Sequence, residues 1–413
     1  MPARSRSYGW YILGLLATVN FFNYANRNVV FPVYEDLRAA FGFSNAQLGL
    51  LGTVFMLSHA LVTVPIGWAG DRLDRRKVMA LGLVVWSIAA MTSAAARGMG
   101  TMLLSRALVG VGTATVVPLS NAMLADVFPQ EDKARTISLF NVGLFLGGAG
   151  GFAAGALLGF PLGFIVLALP GATLAVFVYY VDLPPRRSQA PAASLAQLRE
   201  DMLQIIRIPT MRWLMIGAVL MAFAAGGYLA WFADFVAEDK GYAIEEATLI
   251  FGVCALTGGL AGVVTGGVIG DYLYKRYPFG RLVAMSAGWS CSVPFAVIAI
   301  LLDSGPLFLV SSWLMMFFIT WYHGPMAASV DDLVGDEWAA TAQATFIFVM
   351  HLVGTAPSSY VVGVLADQVG VRYALFAPTA ALILAAASVA MGFRTVRADR
   401  QAASVGEPAG TAL

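Results

Sequence analysis

Two arginines and three histidines stand inside long apolar stretches of this chain. Arg27 lies in "NYANR", Arg106 in "SRALVGVGTA", and His59, His323 and His351 each interrupt a hydrophobic run. An ionisable side chain is costly in such a setting and is by default a functional candidate. A guanidinium offers paired, coplanar donors that match a carboxylate or a phosphate. Arg27 and Arg106 therefore suit the head group of an anion, with Asn26, Thr113, His323 and Tyr360 as further binding candidates. Imidazole changes charge near neutrality, which makes His351 and then His59 the candidates for carrying a proton. Plainer assignments stay open. The arginines can bind backbone carbonyls, reach amides such as Asn23, Asn26 or Asn121, or extend to the surface. A histidine in an apolar run is often a satisfied hydrogen-bonding residue, and for His59 that is the stronger reading.

The elements that must carry these residues follow from composition. The chain has 413 residues, 59% of them hydrophobic and 12% charged, with a mean hydropathy of +0.75. Water-soluble domains sit near 45–50% apolar and about 25% charged, so a soluble fold is excluded. Apolar segments of roughly 20 residues, each able to cross a bilayer, recur at about 9–31, 45–69, 77–96, 100–127, 133–158 and 160–181. A second set lies at about 209–235, 244–272, 281–302, 305–331, 338–366 and 371–393. The expectation is an all-α membrane protein of twelve transmembrane helices in two six-helix bundles. Residues 1–181 form the first bundle and 209–394 the second. Residues 182–208 are a cytoplasmic linker with an amphipathic helix, and 395–413 a cytoplasmic tail. The start, "MPARSRSYGWYILGLLATVN", reads as an uncleaved first helix. With the N-terminus in the cytoplasm most Lys and Arg fall on that side, leaving Arg38, Arg97, Lys240 and Arg372 outside. The location is then the inner membrane, with both termini cytoplasmic.

Several function classes drop out. A net charge of +1 argues against nucleic acid. Cys254 and Cys291 are isolated and imply neither a disulfide framework nor a metal site. No Ser-His-Asp set or metal-ligand cluster occurs at recognisable spacing, so an enzyme is disfavoured and no cofactor is expected. The run "GLFLGGAGGFAAGALLG" lacks the Lys-Ser/Thr of a phosphate loop and is a helix-packing surface.

One knot of charge needs its own account. In "GWAGDRLDRRKVM", six of the seven residues from Asp71 to Lys77 are charged. "GGVIGDYLYKRYPFG" repeats it: Gly67, Gly70, Asp71, Leu73, Arg75 and Arg76 match Gly267, Gly270, Asp271, Leu273, Lys275 and Arg276 at a constant offset of 200. Two like-oriented halves, related by an axis along the membrane normal, explain the repeat. The glycines allow close helix approach, Asp71 suits a helix N-terminus, and Arg75 and Arg76 can pair with Asp126. We therefore expect a latch in each half, formed by Gly67, Asp71, Arg75, Arg76 and Asp126 and by Asp271 and Arg276. Asp234 is an outer and Asp331 an inner gating candidate.

The repeated turn, together with "RALVGVGTA", resembles the major facilitator superfamily over essentially the whole chain. The resemblance implies two bundles around a central cavity, working by alternating access. "NYANR", "SRALVGVGTA" with "LADVF", and "ATAQATFIFVMHLVGTAPSSYVVGVLAD" look like spinster-type transporters, and the anion:cation symporter family comes second. The first implies a lipid-like or amphiphilic organic anion, the second a sugar-acid type of small anion. The partners implied are the anionic substrate and membrane lipids, with protons left open and the chain a monomer. Asn26, Thr113, Gln343 and Thr355 stand where these families usually carry acids, which puts proton coupling by the usual residues in doubt and leaves an uncoupled facilitator open. A non-transporting membrane sensor is the alternative from another class.

Overall fold

The structure is a computed structural model that describes residues 6–129, 132–184, 195–334 and 338–405. Of the expected linker and tail, residues 185–194 and 406–413 lie outside these. The chain divides into two compact units, Met1–Ala192 and Ala193–Leu413. Among the described residues, eleven helices are long and apolar enough to cross a membrane. The helix that would make twelve is α1 (Arg6–Asn28). Its 23 residues span about 34 Å at 1.5 Å per residue, but Asn20, Asn23, Asn26, Arg27 and Asn28 dilute its hydropathy. It stops three residues short of the expected end, because Pro32 has no N–H to give the Asn28 carbonyl.

The first unit continues with a short α2 (Tyr34–Phe41), then α3 (Asn45–Arg72) and α4 (Arg75–Ala94). A reciprocal capping box starts α3: Gln47 N donates to Ser44 Oγ (3.3 Å) and Ser44 N to Gln47 Oε1 (2.9 Å). The fourth span is two pieces, α5 (Met99–Thr113) and α6 (Val116–Val127), followed by α7 (Lys133–Leu158) and α8 (Leu162–Tyr180). Glycine sets the closest packing. Gly143, Gly147, Gly151 and Gly155, one per turn of α7, face the carbonyls of Ala17, Phe21, Ala25 and Val29 on α1, and a Cβ at any of the four would overlap them. The core beside this seam holds Leu16, Leu83, Trp86, Leu119, Met123 and Phe140, each at most 1% exposed.

In the second unit α9 (Leu195–Arg207) precedes α10 (Pro209–Lys240), which closes at Gly241 with φ 76°. Next come α11 (Ile244–Val253) and α12 (Gly259–Tyr274), joined through a π-helical turn at Cys254–Gly258. After α13 (Gly280–Leu301), α14 (Pro306–Ile319) passes through a 3₁₀ turn at Thr320–Tyr322 into α15 (His323–Val334). α16 (Ala339–Val349) runs through a second π-helical turn, Met350–Thr355, into α17 (Ala356–Val369). The described residues close with α18 (Val371–Ala374), α19 (Phe376–Met391) and α20 (Val396–Val405). Gly258, Gly262 and Gly266 press on the carbonyls of Trp313, Phe317 and Trp321. The irregular turns are tied together, with Trp313 Nε1 donating to Thr257 Oγ1 (2.9 Å) and Thr320 Oγ1 to the Gly259 carbonyl (3.0 Å).

Each unit repeats one pairing scheme. In the first, α1 packs on α7, α3 on α5 and α4 on α8. In the second, α10 packs on the 350–355 turn with α17, α12 on α14, and α13 on α19. The internal partners of the two units therefore correspond, as a duplication requires.

Candidate functional site

Arg106 comes from the middle of α5 and is 1% exposed. Its Nη1 donates to the Asn26 carbonyl (3.2 Å) and its Nη2 to the Arg27 carbonyl (3.3 Å). Its guanidinium lies 4.9 Å from the Phe55 ring centre, and its Nε has no hydrogen-bond partner. The two acceptors close the C-terminal end of α1, where helix dipoles gather partial negative charge. Arg106 thus holds the end of α1 and with it the backbone of Arg27. The Arg27 side chain is half-buried, 5.7 Å from the Tyr24 ring. Among the described residues no carboxylate pairs with either arginine.

Neighbouring polar groups complete this centre. Asn26 donates through Nδ2 to the Phe22 (2.9 Å) and Leu167 (3.0 Å) carbonyls, tying α1 to α8, while its Oδ1 is buried without a partner. His59 on α3 is half-buried, stacked against Phe55 at 5.9 Å, with Nδ1 3.2 Å from Thr113 Oγ1. Thr113 is fully buried and donates to the Gly110 carbonyl (3.0 Å). Arg27, Arg106, His59 and Thr113 are therefore brought together from α1, α3 and α5. Phe55 is the member the sequence reading did not single out. Its signal was the spacing of four from His59, one turn along the same helix face.

The second unit holds the other candidates. His323 is exposed and stacks on Tyr322 at 4.1 Å, and the nearby Trp321 Nε1 is buried without a partner. His351 is half-buried in the second π-helical turn, its Nδ1 3.2 Å from Thr355 Oγ1. Tyr360 is exposed and Asp234 buried.

Charge also clusters at the turn that follows α3. Arg75 pairs with Asp126 at the end of α6, and donates to the carbonyls of Gly70 (3.2 Å) and Ala122 (3.4 Å). Arg76 instead takes Asp74 (2.8 Å) and the Val181 carbonyl (2.8 Å), closing α4 onto the end of α8. Asp74 caps α4 by accepting from Arg76 N (3.1 Å), and the Arg76 side chain holds its carboxyl below the usual carboxylate range. The expected close approach occurs at Gly70, where a Cβ would overlap Leu119; at Gly67 the Cβ position is open. The Asp71 side chain lies outside the described residues.

The equivalent cluster in the second unit corrects one expectation. Arg276 lies over the Tyr272 ring at 4.5 Å, and the basic partner is Arg281. Arg281 donates to Asp332 (2.7 Å) and to Asp271 (3.1 Å). The second turn is six residues longer, so Gly70 and Gly270 keep the offset of 200 while Arg75/Arg281 and Asp126/Asp332 stand 206 apart. Arg400 of α20 joins at 3.4 Å from Asp332, and Tyr274 lies between the two guanidiniums at 4.0 and 4.5 Å. Asp331 accepts from Gln343 Nε2 (2.9 Å), linking α15 to α16. The preceding residue of α20, Asp399, accepts from Thr210 N at the start of α10 (2.8 Å).

A sequence profile of the Major Facilitator Superfamily matches residues 16–356. The chain belongs to that superfamily. It is 27% identical over 395 residues to protein spinster of Drosophila melanogaster, covering 89% of this chain and 64% of the fly protein. The chain thus spans less than two thirds of that relative's length. It is 28% identical over 400 residues to protein spinster homolog 3 of Danio rerio, covering 89% and 78%. Among solved structures, a bacterial homolog of the human lysosomal transporter spinster, inward-facing and unoccupied, aligns with a TM-score of 0.85. That alignment is 22% identical and covers 96% of this chain and 99% of the other. The nucleoside transporter NupG gives 0.73 at 16% identity, covering 94% and 98%. At these identities the structural matches establish the fold. The protein is a multi-pass membrane protein of the major facilitator type.

Proposed function

We propose that this superfamily member is a secondary transporter of an amphiphilic organic anion, working by alternating access across the inner membrane with both termini in the cytoplasm. One observation supports this reading above the rest: Arg27 presents a half-buried guanidinium that no described carboxylate neutralises, on a helix end gripped by Arg106. A cation kept in an apolar bundle without an acid is poorly compensated until an anion arrives. The resemblance to spinster-type transporters favours the lipid-like end of the organic anions, ahead of sugar acids. The charged turns serve as latches, Arg75 with Asp126 in one unit and Arg281 with Asp332 in the other. A proton route, where flux is coupled, runs through His351.

The test is flux in proteoliposomes. Wild-type protein should move a lysophospholipid or an organic acid, and Arg27→Gln should abolish that movement while its melting temperature holds. Ligand binding with no flux by the wild type would favour a sensor instead. His351→Gln should flatten the pH dependence of flux, and an unchanged profile removes His351 from the coupling scheme.

A further inference from the structure

The polar centre of the first unit fixes a hydrogen on one imidazole nitrogen, and so assigns a role to the other. Thr113 is fully buried, and its single hydroxyl proton goes to the Gly110 carbonyl (3.0 Å). Its Oγ1 can then only accept from His59 Nδ1, 3.2 Å away. That pairing requires the hydrogen on Nδ1, and the neutral ring then carries a bare lone pair on Nε2. Stacking on Phe55 at 5.9 Å holds the ring on that face of α3.

Few other acceptors are offered here. Thr113 Oγ1 is already used, and Asn26 Oδ1 is shut in on a side chain 1% exposed. The half-buried His59 ring thus presents an acceptor, and Arg27, tied to the same centre through Arg106 and Phe55, presents donors. We propose that His59 is a specificity-determining acceptor, and that the transported anion carries a hydroxyl next to its acidic group. This rests on the reading above, in which Arg27 holds the acid. A ligand with both groups satisfies guanidinium and imidazole together. One lacking the hydroxyl leaves Nε2 unpaired once water is excluded, which is the kind of loss that polar sites use to reject analogues.

Two ligand families carry that chemistry, a lysophospholipid with a free glycerol hydroxyl and a polyhydroxy acid. Binding to purified full-length protein is measured for 1-oleoyl lysophosphatidate against its 2-O-methyl ether, and for gluconate against hexanoate. Wild-type protein should bind the hydroxylated member of one pair at least about tenfold tighter, and that pair names the source. His59→Phe, which keeps a ring on Phe55, should shrink the ratio below about threefold. Thr113→Val, which releases the ring hydrogen, should shrink it too. A wild-type ratio near one, or a full ratio in both variants, overturns the role of His59 and leaves the Arg27 reading standing. Unchanged binding of both members by Arg27→Gln, or no binding of any probe by the wild type, overturns that reading and the inference with it.

Discussion

The Arg75–Asp126 pair can be tested as a double-mutant cycle. Both side chains are shielded, 12% and 9% exposed, and they join α4 to the end of α6 within the first unit. Removing one partner from a buried pair typically costs about 3–5 kcal/mol, because a charge is left behind. In Asp126→Ala the guanidinium keeps the Gly70 and Ala122 carbonyls at 3.2 and 3.4 Å, so the lower end, about 3 kcal/mol, is expected. Arg75→Met should cost a similar amount. The double variant Arg75→Met/Asp126→Leu replaces the pair with apolar bulk and should lie within about 1 kcal/mol of wild type. That leaves a coupling energy of roughly 5 kcal/mol or more. The counterpart in the second unit is wetter, with Arg281 16% and Asp332 27% exposed and Arg400 as a second cation on the acid. Arg281→Met should cost only about 1 kcal/mol, nearer the range of exposed pairs. Unfolding of the purified variants in detergent gives the four corners of the cycle. Additive single-variant costs, or equal costs in the two units, would refute the argument that burial sets the strength of these latches.

Arg106→Ala should lower both flux and melting temperature, since the guanidinium ties down the last carbonyls of α1; lost flux at wild-type melting would instead make Arg106 a direct ligand. Gly262→Val should destabilise by about 1–3 kcal/mol through overpacking against the Phe317 carbonyl, whereas Gly67→Ala, at an open position, should be silent in the same melting assay. Asp74→Asn tests the cap of α4. The folded carboxyl is depressed, so its stabilisation is complete above the unfolded value of about 3.9 and is lost as pH falls through the folded one. The difference between wild type and Asp74→Asn should therefore be under about 1 kcal/mol at pH 6, given partial exposure, and vanish in stronger acid.

The membrane-spanning helices were legible because each is a long apolar run, and the duplication because Gly70 and Asp71 recur as Gly270 and Asp271. What was hidden has a physical reason in each case. Arg281 escaped because six extra residues shift the register just after the matched turn, and Arg276 occupies the naive position. The carbonyl partners of Arg106 were open as a class but not as atoms, since every residue offers the same backbone acceptor. Asn26 was named for its amide, yet it is its carbonyl that Arg106 takes. The π-helical turns at 254–258 and 350–355 leave no break in hydropathy, so nothing in the residue pattern separates them from ordinary helix.

The grip of α20 on Thr210 has a practical reach. The acceptor, Asp399, lies 189 positions further along the chain than the helix start it caps. Trimming the protein after residue 394, or fusing a bulky reporter there, would uncap the first long helix of the second unit and withdraw Arg400 from Asp332 together. Damage from such an edit would surface far from the cut, so purification handles belong at the opposite terminus.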